Sequence, residues 1–546
     1  MSSTASIETG FSRLKTEWRE ILPLSAYVGL CFLIFGILKF GVLNFDWGRS
    51  AGYEAVLWLT AVAFLIFTLR VRMKNLPRPT KILLGSIFVS FAIYMAFPLT
   101  LPPDDGFNAL TGLRLHYRQF ILPTLCILGL WRPGFGAVAL LGAICERMTL
   151  GSWFGDNLSK TEYFPLAEIG LFLTIAAALE PFTRRNPFLA RAKAPLAPGD
   201  DIPLLTKITL LGVSLHLANY FYSAVAKALL GDHPLSWVLY NHTENMIPTH
   251  LQFGQLPLSV ISGLPELSYV LFGSVYVLLN ALIFFGQAFG LLAPLRIRWI
   301  VLIAAFYDLT HIAIYLVTGI FFYKWILLNI SIIVAFRPLS DVRLPRNFQA
   351  LSIAVLLTSP ALFFTANLAW WDTLSVNHER IYAVLDDGSE IEVPSNYWGS
   401  FSIHYAQQRR SPELAAQALW PWRYGKPKEQ RMAELANQCR MPLPEDDGKV
   451  EVDVRVGDVD GSIADHIRRH HAYILSAADA EGRIDFDFHP HHIFSAPWRY
   501  PQIYHVDVRH IRAYRFRDQA ICLTLEDGQF QHRVVRERTF EIPIRK

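Results

Sequence analysis

Residues 204–230 read LLTKITLLGVSLHLANYFYSAVAKALL, and this mostly apolar run sets the class of the protein. About twenty apolar residues are enough to carry a helix across the hydrocarbon core of a bilayer. The run is longer than that, so it predicts a membrane-spanning helix. Polar side chains are costly at membrane depth, and each one in the run therefore needs a partner or a role.

Ten further apolar runs have the same character, and all of them lie before about Trp371. With 52% hydrophobic and only 18% charged residues over 546 positions, the composition excludes an ordinary cytosolic multidomain protein, a disordered chain and a nucleic-acid binder. The sequence therefore predicts an α-helical polytopic membrane bundle of about 11 spans. The spans are expected at about 22–44, 53–69, 82–101, 119–131, 133–147, 164–182, 204–230, 266–292, 299–317, 321–336 and 348–367.

Lysine and arginine concentrate in alternate connections between the runs, and this bias indicates topology. By the positive-inside rule these connections face the cytoplasm, together with the N-terminal segment 1–21. An odd number of spans then puts the tail outside. We therefore expect a transmembrane domain over 22–368 and an extracytoplasmic α+β domain over 369–546. The basic connections are 70–81, 184–193, 296–298 and 337–346.

The tail changes from helical to alternating periodicity, which is typical of strands. Two hairpins are expected, around Asp386-Asp387-Gly388 and around Glu526-Asp527-Gly528, because Asp-Gly between alternating apolar residues favours a tight turn. Helices are expected at 413–419, 428–439 and 462–478, and strands at 449–456, 483–488 and 505–515.

Eleven of the 17 histidines lie in this tail, and two interpretations of them stay open. His466 and His470 are one helical turn apart, a spacing that can present two imidazoles to one metal. No carboxylate or cysteine stands at a recognised ligand spacing, so the run from His466 to His471 fits a solvated helix face equally well. Three more lie in an expected loop, namely His489, His491 and His492.

The five cysteines divide into two groups. Cys31, Cys126 and Cys145 lie in apolar spans, where we expect small buried hydrophobic residues. Cys439 and Cys522 share the tail. They could pair in an oxidising compartment, and whether they do is left open because their separation in space does not follow from sequence.

Four polar residues in the run at 204–230 fall on one helical face. His216, Tyr220, Ser223 and Lys227 follow steps of four, three and four, the spacing of neighbours on a helix surface. Lys227 lies toward the outer end, where a lysine can reach lipid headgroups with its amine. The alternative is a ligand pocket lined by all four side chains, and both interpretations stay open.

The ninth run carries a second polar face, made of Tyr307, Asp308, His311 and Tyr315. Asp308 is spaced to orient or charge His311, and a purely structural pair is the alternative. Between the seventh and eighth runs, residues 231–264 form a long aromatic loop that includes Trp237. Loops of this kind commonly cap a pocket or re-enter the membrane.

Three of these segments together resemble a known family. They are the run from Tyr220 to Lys227, Trp237 in the following loop, and the run from His311 to Phe322. They are similar to the HTTM membrane domain that vitamin K-dependent γ-glutamyl carboxylases share with many bacterial proteins. The similarity is loose over about 20–340 and more specific over 216–335.

The resemblance implies a bacterial inner-membrane enzyme with a periplasmic tail that uses a reduced quinone, menaquinol or a vitamin K hydroquinone-like compound, together with oxygen. Lys227 inherits the role of the base toward the hydroquinone, because a desolvated amine gives up its own proton more easily. His311, assisted by Asp308, inherits contact with the quinone oxygen or with the oxyanion. The expected cofactor-binding residues are His216, Tyr220, Ser223, Tyr315 and Trp237; the resemblance names no metal ligand, and whether the tail histidines bind a metal stays open.

Two departures from the family limit what the resemblance implies. The segment from Trp153 to Tyr163 contains Asn157 but lacks the histidine that the carboxylases carry there. The tail is also much smaller than the outer domain with which they bind protein glutamate. A non-enzymatic alternative therefore stays open: a scaffold or accessory subunit of a membrane complex, with the tail as an interaction module for a membrane or periplasmic protein.

Overall fold

The computed structural model describes residues 3–43, 51–96, 113, 117–154, 160–196, 201–394, 397, 430–440, 461–484 and 496–544. Each of the eleven predicted apolar runs contains a helix, and we number these helices α1 to α11. They are Ser3–Leu38, Ala51–Thr68, Arg78–Ala96, Arg118–Gly129, Pro133–Phe154, Lys160–Leu179, Leu204–Ala228, Leu264–Ala288, Ile297–Thr318, Tyr323–Phe336 and Arg346–Thr358.

Six segments of the described chain are helical, long and apolar enough to cross a membrane. The expected number of about eleven spans is not confirmed, because only these six of the described segments meet the requirements of length and apolar composition together. The six segments are Glu20–Gly41, Arg78–Ala96, Phe164–Arg185, Leu204–Ala228, Leu264–Leu291 and Ile297–Thr318.

The eleventh run differs most from its prediction. It was expected to span 348–367, but α11 ends at Thr358. Pro360 follows, which has no backbone N–H to donate and whose ring clashes with a continuing helix. After a short 3-10 turn at Ser359–Ala361, residues 364–373 are neither helix nor strand.

Helix α7 lies at the centre of the bundle, and α8 lies at its surface. In its most apolar window α7 is 83% buried inside the protein, compared with 6% for α8. Near its start, α7 contacts two basic connections: Thr80 donates to the carbonyl oxygen of Leu205 at 3.2 Å, and Lys207 donates to that of Ala194 at 3.4 Å. The helix has 25 residues, so its other end lies roughly 35 Å away.

The tail contains a four-stranded antiparallel sheet in the order β2-β1-β3-β4. Both predicted hairpins are confirmed. In the second, Asp527 and Gly528 have φ of 50° and 76°, as a two-residue turn of this class requires. The strands are β1 Ser375–Leu385, β2 Glu390–Glu392, β3 Ile511–Glu526 and β4 Gln529–Pro543.

Helices α12 (Gln430–Asn437) and α13 (Gly461–Ala477) confirm two of the predicted tail helices. The strand expected at 505–515 begins only at Ile511, because 3-10 turns at Ile503–His505 and Val508–His510 precede it. The helix expected at 413–419, the strand expected at 449–456, most of the strand expected at 483–488, and His489, His491 and His492 lie outside the described residues.

Two histidines of α13 do not lie on a solvated face. His470 and His471 are buried, and Nδ1 of His471 lies 3.0 Å from the hydroxyl of Tyr514. The interpretation as a solvated face is wrong for both, because α13 packs this side against the sheet. Across the described ranges, no group of three histidine, cysteine or carboxylate side chains is placed to hold a metal.

The question of the cysteines is settled by the structure. Cys439 and Cys522 form a disulfide, with their Cα atoms 5.8 Å apart. Cys31, Cys126 and Cys145 are free and buried, as expected. The disulfide joins the end of α12 to strand β3, next to the point where β1 begins.

Candidate functional site

One cavity brings together residues from both predicted polar faces. Its volume is about 150 Å³, which is roughly ten times the volume that a single water molecule needs. Its walls come from α7 to α10, from the loop at 231–264 and from residues 364–374. Five of the predicted site residues line it, namely Tyr220, Ser223, Lys227, Trp237 and His311.

The Lys227 amine has all of its hydrogen-bonding capacity met by the chain itself. Its Nζ donates to the carbonyl oxygen of Leu368 at 2.6 Å, to Oε1 of Gln287 at 3.1 Å and to the carbonyl oxygen of Ser223 at 3.5 Å. It also lies 5.1 Å from the ring centre of Trp237. The amine therefore lies among oxygen atoms of the chain itself and beside an aromatic ring. Lys227 does not snorkel to an exposed position, because its side chain is buried.

Residues 364–374, which we call the strap, form the wall beside Lys227. The strap is held by the same face of α7 that carries the predicted polar stripe. Asn219 accepts a hydrogen bond from the backbone N–H of Ala366 at 2.8 Å, and Ser223 accepts one from Leu368 at 3.2 Å. The polar stripe therefore supports a non-helical backbone segment as well as lining the cavity.

A buried amide joins three helices behind the cavity. Asn329 of α10 donates through Nδ2 to Oδ1 of Asp308 at 2.9 Å and to the hydroxyl oxygen of Tyr220 at 3.2 Å. Its Oδ1 lies 2.9 Å from Nε2 of His216. Because the amide nitrogen already faces two oxygens, the amide oxygen must be the acceptor, and His216 therefore carries its proton on Nε2.

His311 differs from His216 in having no such partner. It lines the cavity, and neither of its ring nitrogens has a hydrogen bond to any described residue. Its ring centre lies 5.2 Å from that of Phe322, 5.8 Å from that of Trp325 and 5.9 Å from that of Tyr220. A buried imidazole without a partner costs roughly 1–3 kcal/mol, so a missing donor or acceptor is expected here.

Three predicted site residues do not line the cavity. His216 and Asp308 are turned toward Asn329, because its amide can pair with both of them at once. The expected orientation of His311 by Asp308 is therefore absent from the described contacts, although the two lie on one helix. Tyr315 packs against the ring of Phe321, with the centres 4.9 Å apart.

The loop at 231–264 caps the cavity, as predicted. Its short helices, Ser236–Tyr240 and Met246–Gln252, contribute Trp237 and Thr249 to the lining. Gly319 lets the end of α9 approach this loop closely. It has a φ of 68°, and a Cβ there would lie 2.0 Å from the carbonyl oxygen of Gln255.

The structure adds site residues that the sequence interpretation missed. Asn219 follows the same helical steps as the predicted stripe, so its spacing was a usable signal. Asn329 is a lone amide inside an apolar run, and its cost at membrane depth was a signal too. Gln287 is also an amide inside an apolar run, whereas Asp372 carried no comparable signal, because only the folded chain places it beside the loop.

The chain matches no protein-family model, no curated protein and no solved structure. The resemblance to the carboxylase membrane domain therefore stays a prediction, and the functional argument depends on the geometry of the cavity.

Proposed function

We propose that this chain is an integral membrane protein whose cavity binds a lipid-soluble ring compound of the quinone class. One observation carries the proposal: His311 is a buried, unpartnered imidazole on the wall of a cavity whose inner surface is mostly apolar. A flat ring compound with an oxygen substituent would fill the cavity and give His311 its hydrogen bond.

The membrane setting is supported by three features. Six helical segments are long and apolar enough to cross a bilayer. Basic connections contact the start of α7, where the positive-inside rule would place the cytoplasm. The Cys439–Cys522 disulfide belongs to the tail, whose first strand continues from the strap near the other end of α7. Because disulfides persist in oxidising compartments, this supports a periplasmic tail and a bacterial inner-membrane location.

The aromatic lining favours a ring over a flexible chain as the bound group. Tyr220 and Tyr307 stack with ring centres 3.5 Å apart, and Trp325 lies edge-on to Tyr220 at 5.2 Å. A ring ligand could add stacked and edge contacts to this aromatic group. Nδ1 of His311 is shielded, so Nε2 is the nitrogen that would meet the ligand oxygen.

The reaction implied by the resemblance requires Lys227 to act as a base toward a hydroquinone. In this structure Nζ is already engaged by three oxygen atoms of the chain itself. The geometry therefore favours binding over Lys227 base catalysis, and that catalytic role stays a prediction.

Ligand binding can be tested on the full chain in lipid nanodiscs. Quinones that co-purify would be identified by mass spectrometry, and a short-tailed menaquinone would be titrated while the tryptophan fluorescence of the cavity is followed. We expect saturable quenching, and an affinity several-fold to tenfold weaker in His311→Phe, which keeps the ring but loses the nitrogens. The matched control is His532→Phe, at an exposed position on β4. Absence of saturable binding in the wild type would overturn the proposal.

A second candidate is a non-enzymatic scaffold or accessory subunit. The hydrogen bonds of Asn219, Ser223 and Lys227 favour it, because all three side chains bond to the strap of the same chain. Gentle detergent extraction followed by native mass spectrometry separates the two candidates. A stoichiometric partner chain and an empty cavity would support the scaffold, whereas a bound quinone without a partner supports the binding proposal.

A further inference from the structure

We propose that the strap is a movable wall of the cavity and that the Cys439–Cys522 disulfide holds it in place. The part of this proposal that concerns ligand exchange rests on the proposed function. The part that concerns the strap rests on contacts within the chain alone.

The strap takes its hydrogen bonds at every second residue. The N–H groups of five even-numbered positions donate to side chains of other elements. These bonds are Phe364 to Glu168 at 2.6 Å, Ala366 to Asn219 at 2.8 Å, Leu368 to Ser223 at 3.2 Å, Asp372 to Asn241 at 2.8 Å and Leu374 to Asn437 at 3.1 Å.

Helix and strap match because their repeats are almost equal. Four residues of a helix rise roughly 6.0 Å, and two residues of an extended chain rise roughly 6.6 Å. Asn219 and Ser223 therefore meet alternate strap residues, Ala366 and Leu368, and Lys227 donates to the carbonyl oxygen of Leu368. The loop shows the same spacing. Trp237 and Asn241 are four residues apart, and they bond to Trp370 and Asp372, which are two residues apart.

The strap backbone is held by hydrogen bonds to side chains, whereas a strand in a sheet is held by hydrogen bonds to a neighbouring backbone. Within the described ranges, no strand pairs with residues 364–373, and β1 begins only at Ser375. Bonds to separate side chains can be released one after another, whereas a strand inside a sheet must break a shared ladder. Leu368 and Thr373 line the cavity, so movement of the strap would change its volume and its access.

The outer end of the strap is fixed by α12 and by strand β3, where the N–H of Leu523 donates to the carbonyl oxygen of Leu374 at 2.9 Å. Oδ1 of Asn437 accepts hydrogen bonds from the N–H of Leu374 at 3.1 Å and from Nδ2 of Asn245 at 3.0 Å. The hydroxyl of Ser375 donates to the carbonyl oxygen of Ala436 at 2.6 Å. One residue pair of α12 therefore ties the strap to the loop that caps the cavity.

The disulfide holds α12 at this position. Cys439 follows Asn437 by two residues, and Cys522 is directly opposite Ser375 in the β1–β3 ladder. Cys439 has a φ of 55°, and the N–H of Arg440 bonds back to Leu435 at 2.9 Å, which is the helix ending that usually carries glycine. Glycine would fit this helix ending better than cysteine. We therefore infer that residue 439 is a cysteine because it forms the disulfide.

Reduction by a dithiol would release the clamp. The reductant thiolate attacks Sγ of the half-buried Cys439, a mixed disulfide forms, and Cys522 leaves as a thiolate that takes a proton. The second thiol of the reductant then closes its own disulfide and frees Cys439, so two electrons and two protons are transferred. With α12 no longer bonded to β3, Asn437 can leave Leu374 and Asn245.

Amide hydrogen exchange of the full chain in nanodiscs tests whether the disulfide holds the strap in place. After treatment with dithiothreitol, we expect exchange in 364–374 to become at least tenfold faster, while exchange in 204–215 of α7 stays unchanged. Labelling of two additional thiols confirms reduction. Unchanged exchange in the strap after complete reduction would overturn the proposal, and so would faster exchange everywhere, because the disulfide would then stabilise the whole fold.

A variant with an intact disulfide provides the second test. Asn437→Ala should speed exchange in the strap without reductant, whereas Gln438→Ala, at the exposed neighbouring position, should not. Equal exchange in the two variants would contradict the clamp. Neither readout needs a ligand, so a failure to bind menaquinone would overturn the proposed function and leave the strap proposal standing.

Discussion

The two walls of the cavity differ in how their polar groups are satisfied. On the strap side, Asn219, Ser223 and Lys227 are bonded to the backbone of residues 364–374. On the opposite side, His311 lines the cavity and has no hydrogen-bond partner among the described residues. A polar side chain in an apolar span can thus stabilise the fold or bind a ligand, and its contacts show which of the two roles it has.

From sequence alone, Lys227 is the stronger candidate for a functional role, and the structure instead favours His311. The lysine is the rarer residue at membrane depth and attracts the stronger functional hypothesis. In the structure its bonds are the more complete, because the strap supplies a carbonyl oxygen at 2.6 Å. Variants on the strap side should therefore change stability, and variants on the His311 side should change binding.

The largest effect is expected from Lys227→Met. The variant leaves the carbonyl of Leu368 and the amide oxygen of Gln287 without their donor, at roughly 1–3 kcal/mol for each buried group, while the removal of a buried charge offsets part of this. We expect the free energy of unfolding to fall by about 2 kcal/mol. Thermal unfolding in nanodiscs measures the change, with the exposed Lys74→Met as control. Unchanged stability with lost turnover of a hydroquinone would instead support a role as base.

A smaller loss is expected from Asn219→Leu. Only one backbone N–H, that of Ala366, loses its acceptor, so we expect stability to fall by about 1–2 kcal/mol. The same unfolding measurement applies, and Asn75→Leu in an exposed connection provides the matched control. Equal midpoints for both variants would show that α7 does not support the strap.

His311→Phe should leave stability unchanged or slightly raise it. The variant removes unpaired buried nitrogens and retains a ring that fits among Phe322 and Trp325. Thermal unfolding without added quinone is the measurement. A clear loss of stability would mean that His311 serves the fold, as Lys227 does, and the contrast between the two walls would disappear.

The smallest effect is expected at the surface of the tail, far from both walls. Hydrogen bonds from Arg509 lower the pKa of Asp507 to about 2. A carboxylate with a lowered pKa adds stability above its unfolded value near 4 and loses that contribution as the pH falls toward 2. Wild type and Asp507→Asn should therefore differ slightly at pH 6 and converge only as the pH reaches about 2. A constant difference across this range would contradict the assigned cause.

Much of the fold follows from local patterns in the sequence. All eleven apolar runs contain helices, and both Asp-Gly hairpins form, because these features depend on neighbouring residues. The strap was mistaken for part of a helical span, since the residues after Pro360 are as apolar as a helix. Its conformation depends on partners more than a hundred positions away, such as Asn219, and no local period reveals them.

The site was predicted in part for the same reason. Helical steps placed Tyr220, Ser223 and Lys227 on one face, and the structure confirms that they share a cavity with His311. The steps could not show that Asn329, on another helix, draws His216 and Asp308 away from that cavity. Spacing determines which side chains share a face, and tertiary contacts determine what each of them bonds to.

The position of a bound quinone tests the central claim most directly. A cryo-electron microscopy map of the protein in nanodiscs, saturated with short-tailed menaquinone, would show which wall the ligand oxygen meets. We predict density in the cavity with one quinone oxygen within hydrogen-bond distance of Nε2 of His311, and Lys227 still bonded to Leu368. A quinone oxygen on Nζ of Lys227, with the strap displaced and His311 unpaired, would contradict the account.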